Sequence, residues 1–136
     1  MNILEDIKRH EGFRSKVYKC TEGYDTIGYG FAIKDLEIDK DVAELILMKK
    51  IKKLLEGILS TFDWFENSPD EVKFAVTNMC YQMGISGFSK FKKTIYYLET
   101  QQYEEAATEC LDSLWAKQTP NRAKEASEAI SSAATD

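Results

Sequence analysis

The chain has 136 residues, 43% of them hydrophobic, with 7 Gly and 2 Pro, which suits one domain with a real core, or two lobes sharing a helix, and excludes disordered or collagen-like architectures. A formal net charge of -5 lacks the basic footprint of a nucleic-acid binder and opposes long-range steering toward any anionic polymer. No run approaches the roughly 20 apolar residues of a membrane span, and the opening Met1-Asn2-Ile3-Leu4-Glu5-Asp6 has neither the basic flank nor the apolar stretch of a secretory leader, so a cytoplasmic chain without membrane insertion is expected.

Residues 3–11 read as a short helix with Asn2 as N-cap and Glu5 three residues on. Ile3, Leu4 and Ile7 form its apolar face, and Gly12 stops it. Residues 13–34 are runs of Tyr, Val, Ile and Thr punctuated by Gly23, Gly28 and Gly30, which predicts a small antiparallel sheet. From about 40 to 61 the apolar positions Leu47, Ile51, Leu54, Ile58 and Phe62, widened by Leu45, Met48, Leu55 and Leu59, predict one long amphipathic helix. Ser68-Pro69-Asp70-Glu71 reads as a helix start carrying Val72, Ala75, Val76 and Met79, with an end near Gly84. Further helices are predicted at about 90–100, 103–112 and 120–131, the last capped by Thr119, with a fraying polar tail over 131–136. The predicted class is α+β. A small lobe (about 12–38) and a connecting helix (about 40–61) precede a helical lobe (about 68–131) packed with helix 3–11.

Glu11 at a helix end, Cys20 near the first strand and Thr26 opening Thr26-Ile27-Gly28-Tyr29-Gly30 could meet on one wall of a cleft. Glycosidic cleavage needs an acid for the leaving oxygen and a second group that holds a water, or stabilises the developing cation, on the opposite face. A Glu serves as the acid if burial raises its pKa. Spacing alone does not separate this from a solvated Glu at a helix end. The three cysteines, Cys20, Cys80 and Cys110, are an odd number without metal-ligand spacing. Neither metal nor cofactor is expected, Cys80 and Cys110 read as small core residues, and His10 reads as a surface residue. Tyr96, Tyr97, Phe88 and Phe91 read as core, and Trp115 as part of the helical core. The run Lys49-Lys50-Ile51-Lys52-Lys53 reads as a solvated helix face, or as a contact for an anionic polymer.

Three separated stretches carry a resemblance. They are Glu11-Gly12-Phe13-Arg14-Ser15-Lys16-Val17-Tyr18 with Thr21-Glu22-Gly23-Tyr24 and Thr26 to Gly30; Asn78-Met79 with Tyr81-Gln82-Met83-Gly84; and Trp115 with Gln118-Thr119-Pro120-Asn121-Arg122-Ala123. In this order they resemble the phage-type lysozymes, glycoside hydrolase family 24, over nearly the whole chain. The resemblance implies a lysozyme-like fold and an endolysin: a muramidase cutting the β-1,4 bond between N-acetylmuramic acid and N-acetylglucosamine in bacterial peptidoglycan. It also implies an inverting reaction in which water attacks directly.

By the same resemblance Glu11 matches the catalytic acid. Cys20 stands where members have Asp or Cys as a second catalytic residue, and Thr26 matches the residue that positions the water. Tyr81, Gln82 and Thr94 fall on a glycan-contacting wall, Ala32 stands where a larger apolar residue often meets substrate, and Arg122 matches a residue that pairs with the catalytic Glu. The implied setting is a monomer that reaches the wall through a separate holin and binds no nucleic acid. Three rival readings stay open: a weak or inactive glycan-binding module of this fold, a lytic transglycosylase, and a thiol hydrolase using Cys20 with His10.

Overall fold

Asn2 accepts the backbone N–H of Glu5 at 3.2 Å on its side-chain oxygen, and so opens α1 (Ile3–Glu11) at the expected cap. The helix ends where Gly12, with φ of 69°, donates its N–H to the carbonyl of Lys8. The computed structural model describes residues 2–135, and these fall into two compact units divided between Glu44 and Leu45.

In the first unit α1 is followed by a three-stranded antiparallel sheet of β1 (Arg14–Lys19), β2 (Asp25–Gly28) and β3 (Phe31–Ala32), in chain order. The strand composition and glycine punctuation predict this sheet, and short antiparallel strands need only tight turns. Pairing of Tyr18 with Thr26 and of Thr26 with Ala32 puts these three residues in one row on one face. A register shift in β1 lies between Arg14 and Tyr18. Tyr29, in the β2–β3 turn, packs on Phe13 at 5.4 Å and lies 5.8 Å below the Lys8 ammonium. That contact ties the last turn of α1 to the sheet.

The helix α2 (Lys40–Thr61) has the predicted bounds and crosses the division. The second unit continues with α3 (Asp70–Phe88), α4 (Lys92–Glu99), α5 (Tyr103–Leu111), α6 (Leu114–Gln118) and α7 (Pro120–Ser132). Its core holds Ile58, Val72, Val76, Met79, Phe88, Leu98 and Ile130, all at 1% exposure or less. A run of ring contacts crosses it: Phe62 meets Phe88 edge-on at 5.6 Å, Phe88 meets Phe91 at 6.2 Å, and Phe91 meets Trp115 at 6.2 Å. Ser127, buried, donates to the carbonyl of Ala107 at 3.0 Å and ties α7 to α5.

Several expectations change. Ser68 does not cap α3: its hydroxyl donates back to Trp64 at 2.7 Å, and the residue before the helix is Pro69. The helix passes its predicted end, but Gly84 (φ 79°, ψ 160°) breaks it there, and a further turn reaches Phe88. Thr119 donates to Trp115 at 3.0 Å instead of capping α7, because the unpredicted short helix α6 presents that carbonyl. Tyr96 is 56% exposed rather than core, since α4 buries Thr94 and Leu98 instead. The tail extends the helix as a 3-10 turn, Ala133–Thr135, with Ala133 buried; residue 136, the end of the predicted fraying tail, lies outside the described residues. Leu45, Met48 and Leu59 are exposed, so α2 buries a narrower stripe than its sequence offers.

Candidate active site

The chemistry of the first unit begins with the two turns that flank β2. In the first, Gly23 donates to the carbonyl of Cys20 and Cys20 donates to the carbonyl of Tyr24, both at 2.9 Å. Gly23 sits at φ of 86°, a conformation that an L side chain resists. The result is a closed turn between Cys20 and Tyr24. Backbone N–H groups of Tyr24 and Glu22 are directed at the Cys20 sulfur, and they, followed by the Thr26 hydroxyl, hold the thiol below the ordinary cysteine range. Partial desolvation and the Glu22 carboxylate work the other way without prevailing. Cys20 remains partly exposed, so the sulfur is open to reaction.

Thr26 is 3% exposed, and its hydroxyl donates to the carbonyl of Tyr24 at 3.0 Å. A hydroxyl has one hydrogen, so it serves either that carbonyl or the Cys20 thiolate at any moment. Donation to Tyr24 leaves the Thr26 oxygen lone pairs able to accept from a water. Ala32 is the cross-strand neighbour of Thr26 and half-buried.

The second turn seats Glu11. Gly30 has φ of 75°, and a β-carbon there would collide with Oε2 of Glu11 and lie 3.1 Å from its carboxyl carbon. The Glu11 carboxylate therefore rests on the bare Cα of Gly30. Glu11 is exposed, and no basic side chain among residues 2–44 forms an ion pair with it. Lys8, one helical turn before Glu11, lies over Tyr29, so α1 presents both residues toward the same turn. This seat for the Glu11 carboxyl is what a sequence reading misses: the glycine pair of Gly28-Tyr29-Gly30 signals a turn, and only the fold shows what lies above the second glycine.

Glu11, Cys20, Thr26 and Ala32 all lie in the first unit, where Thr26 meets Cys20 and pairs with Ala32 and Glu11 meets Gly30. It does not form a Cys20–His10 pair: the His10 ring lies 3.7 Å from Asp6 and 3.3 Å from Arg9, and contributes nothing to the Cys20 environment. A thiol hydrolase loses its base on that ground.

The remaining predicted residues lie in the second unit. Tyr81, 46% exposed, and Arg122 line one groove of about 610 Å³, with Phe74, Asn78, Leu47 and Ile51. Gln82 accepts the indole N–H of Trp115 at 2.8 Å, which fixes its carboxamide oxygen against α6. Thr94 is 2% exposed at the floor of a depression flanked by Lys90, Lys93, Glu109 and Asp112. Cys80 and Cys110 are in the core as expected, where burial pushes their thiols up to about 12 and about 11. No group of three or more His, Cys, Asp or Glu among the described residues could hold a metal ion, and no helix among them is long and apolar enough to cross a membrane.

Comparison with known sequences gives a consistent result. The family model described as phage lysozyme matches residues 8–128. A probable T4-type lysozyme 2 of Dictyostelium discoideum is 32% identical over 152 aligned residues, covering 89% of this chain and 88% of the relative. A probable T4-type lysozyme 1 of the same organism is 29% identical with the same coverage. The pre-baseplate central spike protein Gp5 of Enterobacteria phage T4 is 30% identical over 90% of this chain and 26% of its own length.

Proposed function

From the premise that the chain belongs to the phage lysozyme family, a family of lysozyme-like peptidoglycan hydrolases, we propose that it is an inverting muramidase that cuts the β-1,4 bond after N-acetylmuramic acid. The observation that carries this reading is the pairing, in one small unit, of a carboxyl seated on Gly30 with a thiol and hydroxyl pair at Cys20 and Thr26.

The proposed reaction uses these groups in sequence. Glu11 in its acid form gives its proton to the glycosidic oxygen, and the bond to the anomeric carbon breaks with its electron pair going to that oxygen. A water whose hydrogen is accepted by the Thr26 hydroxyl oxygen attacks the anomeric carbon from the opposite face. Its proton passes to the Cys20 thiolate, which the Tyr24 and Glu22 N–H groups favour. Proton exchange with solvent then returns Glu11 to the acid and Cys20 to the thiolate. The assignment of Ala32, which pairs with Thr26 in the sheet, to a sugar contact rests on the family pattern. The assignment of Tyr81, Gln82 and Thr94 to glycan contact rests on the family pattern, as do action as a monomer, host lysis and delivery by a holin.

Cleavage of purified peptidoglycan tests the proposal, with product ends read by mass spectrometry. Glu11→Gln is expected to lower the rate by about 10²–10⁴-fold, and the wild type to release hydrolysed muramic reducing ends. Anhydro ends would assign a transglycosylase, and binding without cleavage a glycan-binding module.

A further inference from the structure

On α2, Leu45, Met48 and Leu59 are 53, 66 and 45% exposed, and Lys49, Lys50, Lys52 and Lys53 are exposed among them. At the helical period, Leu45, Met48, Lys49, Lys52 and Leu59 share one side, opposite the buried Ile58 and the partly buried Leu54. Lys53 borders this stripe and the exposed Glu56 falls within it, while Lys50 lies round the helix toward Leu54. Among the described residues none of the four ammonium groups has an ion-pair partner; Glu56, one turn from Lys52 and Lys53, pairs with neither. Four of the chain's 18 Lys and Arg stand within five positions of a molecule whose net charge is -5. The positive charge is a local feature set against an acidic background.

A face that is merely solvated gains nothing from exposed Leu and Met. A free polyanion engages ammonium groups but has no use for them either. The interface of an anionic bilayer engages both. Apolar side chains enter the boundary between headgroups and acyl chains, while lysine stems extend along it and place their ammonium groups at the phosphates. We infer that the outward face of α2 is a docking surface for an anionic phospholipid membrane. Docking is peripheral and reversible, with Leu45, Met48 and Leu59 entering the interface and Lys49, Lys52 and Lys53 meeting lipid phosphates. No residue of the proposed hydrolytic centre takes part, so this inference stands or falls separately from the proposed reaction.

The test is flotation of the full chain with vesicles of phosphatidylcholine doped with phosphatidylglycerol, against vesicles of phosphatidylcholine alone. Partitioning is expected only into the anionic vesicles, and is expected to fall as salt screens the lysines. Each lysine near such a surface is worth on the order of fivefold in partitioning, so the triple variant Lys49→Gln/Lys52→Gln/Lys53→Gln is expected to lose about 100-fold. Leu45→Ser/Met48→Ser weakens binding at low and high salt alike. The control Lys90→Gln/Lys92→Gln/Lys93→Gln removes equal charge elsewhere in the same unit and leaves partitioning nearly unchanged. Circular dichroism on every variant checks that the fold persists. Equal partitioning into both vesicle types, none at low salt, equal loss in the control triple, or retention of the chain by DNA or a phosphate-rich wall polymer but not by vesicles would overturn the inference.

Discussion

In residues 45–135, Ile58, Val72, Val76, Phe88, Leu98 and Ile130 are closed off from solvent, whereas Thr26 is the one buried residue among residues 2–44. The second unit is held by apolar area and by a run of rings from Phe62 through Phe88 to Trp115. The first is held by strand pairing, by turns that need glycine at Gly23 and Gly30, and by single contacts such as Lys8 on Tyr29. Burial is non-directional and tolerates small errors of angle, while a turn with a defined φ fixes the direction of a side chain. The contrast teaches that this molecule separates the source of its stability from the source of its chemical geometry. Substitutions in the two units should therefore fail in different ways.

The largest expected effect on stability is in the helical unit. Phe88 is fully buried and touches two other rings, so Phe88→Ala should destabilise the fold by about 3–5 kcal/mol. Urea unfolding followed by tryptophan fluorescence measures this, and cleavage below the unfolding transition should persist. If Phe88→Ala abolished cleavage while the chain stayed folded, the separation of roles would be wrong.

Gly30→Ala should fail in the opposite manner. The positive φ costs about 1–2 kcal/mol, but the added methyl displaces the Glu11 carboxyl. Misplacing a catalytic group by about 1 Å can cost on the order of 10²-fold in rate, so kcat should fall by about that factor with KM little changed. A D-alanine introduced at position 30 by chemical ligation keeps the positive φ and directs its methyl away from Glu11; it should recover most of the rate. Equal losses for both stereoisomers would reduce Gly30 to a turn residue.

These contrasts also mark what was legible in the sequence. The helices were legible where burial and period coincide, as in α2 (Lys40–Thr61), whose predicted bounds match. The sheet was legible because β-branched and aromatic residues alternate with glycine turns. Caps were less legible. Asn2 caps α1, but Ser68 and Thr119 have sequences equally suited to capping and donate backward to Trp64 and Trp115, a choice set by carbonyls that tertiary packing presents. At the site, Glu11, Cys20, Thr26 and Ala32 are all named by the resemblance, and the strand register adds that Ala32 stands beside Thr26. The backbone N–H groups at the Cys20 sulfur and the seat on Gly30 were not legible, because main-chain donors and missing side chains have no letter in the sequence.

Cys20 tests the chemical side of the comparison through pH. The N–H groups of Tyr24 and Glu22 stabilise the thiolate, so its pKa in the folded chain lies below that of an ordinary cysteine. Iodoacetamide should therefore modify Cys20 with a rate that rises at lower pH in the folded chain than in urea, while Cys80 and Cys110, pushed up to about 12 and about 11, stay unreactive until unfolding. If the thiolate accepts the water's proton, cleavage should rise with pH through that same inflection. Cys20→Asp, with an unperturbed carboxyl pKa of about 3.9, should preserve or raise activity and move the rising limb to lower pH. An alkylation profile unchanged by urea would remove the backbone groups from the account.

The smallest expected effect sharpens the comparison most finely, because it weakens the element that carries Glu11 without touching the site. Asn2 accepts from Glu5 at 3.2 Å on an exposed helix start, and Asn2→Ala should cost about 1 kcal/mol of local stability. The loss falls on α1, so amide exchange should speed up at Glu5, whose N–H is held by the Asn2 side chain, and at Asp6, whose N–H closes the first turn on the Asn2 carbonyl, while the buried amides of α3 keep their protection. Glu11 lies at the other end of α1 and is held by Gly30 and by the Lys8–Tyr29 contact, so cleavage should fall by less than about twofold, within the few tenths of a kcal/mol expected for sites that do not share contacts. A larger loss of activity would mean that the cap and the acid's seat are coupled through the helix, and that the geometry of the first unit depends on helix stability as well as on its turns.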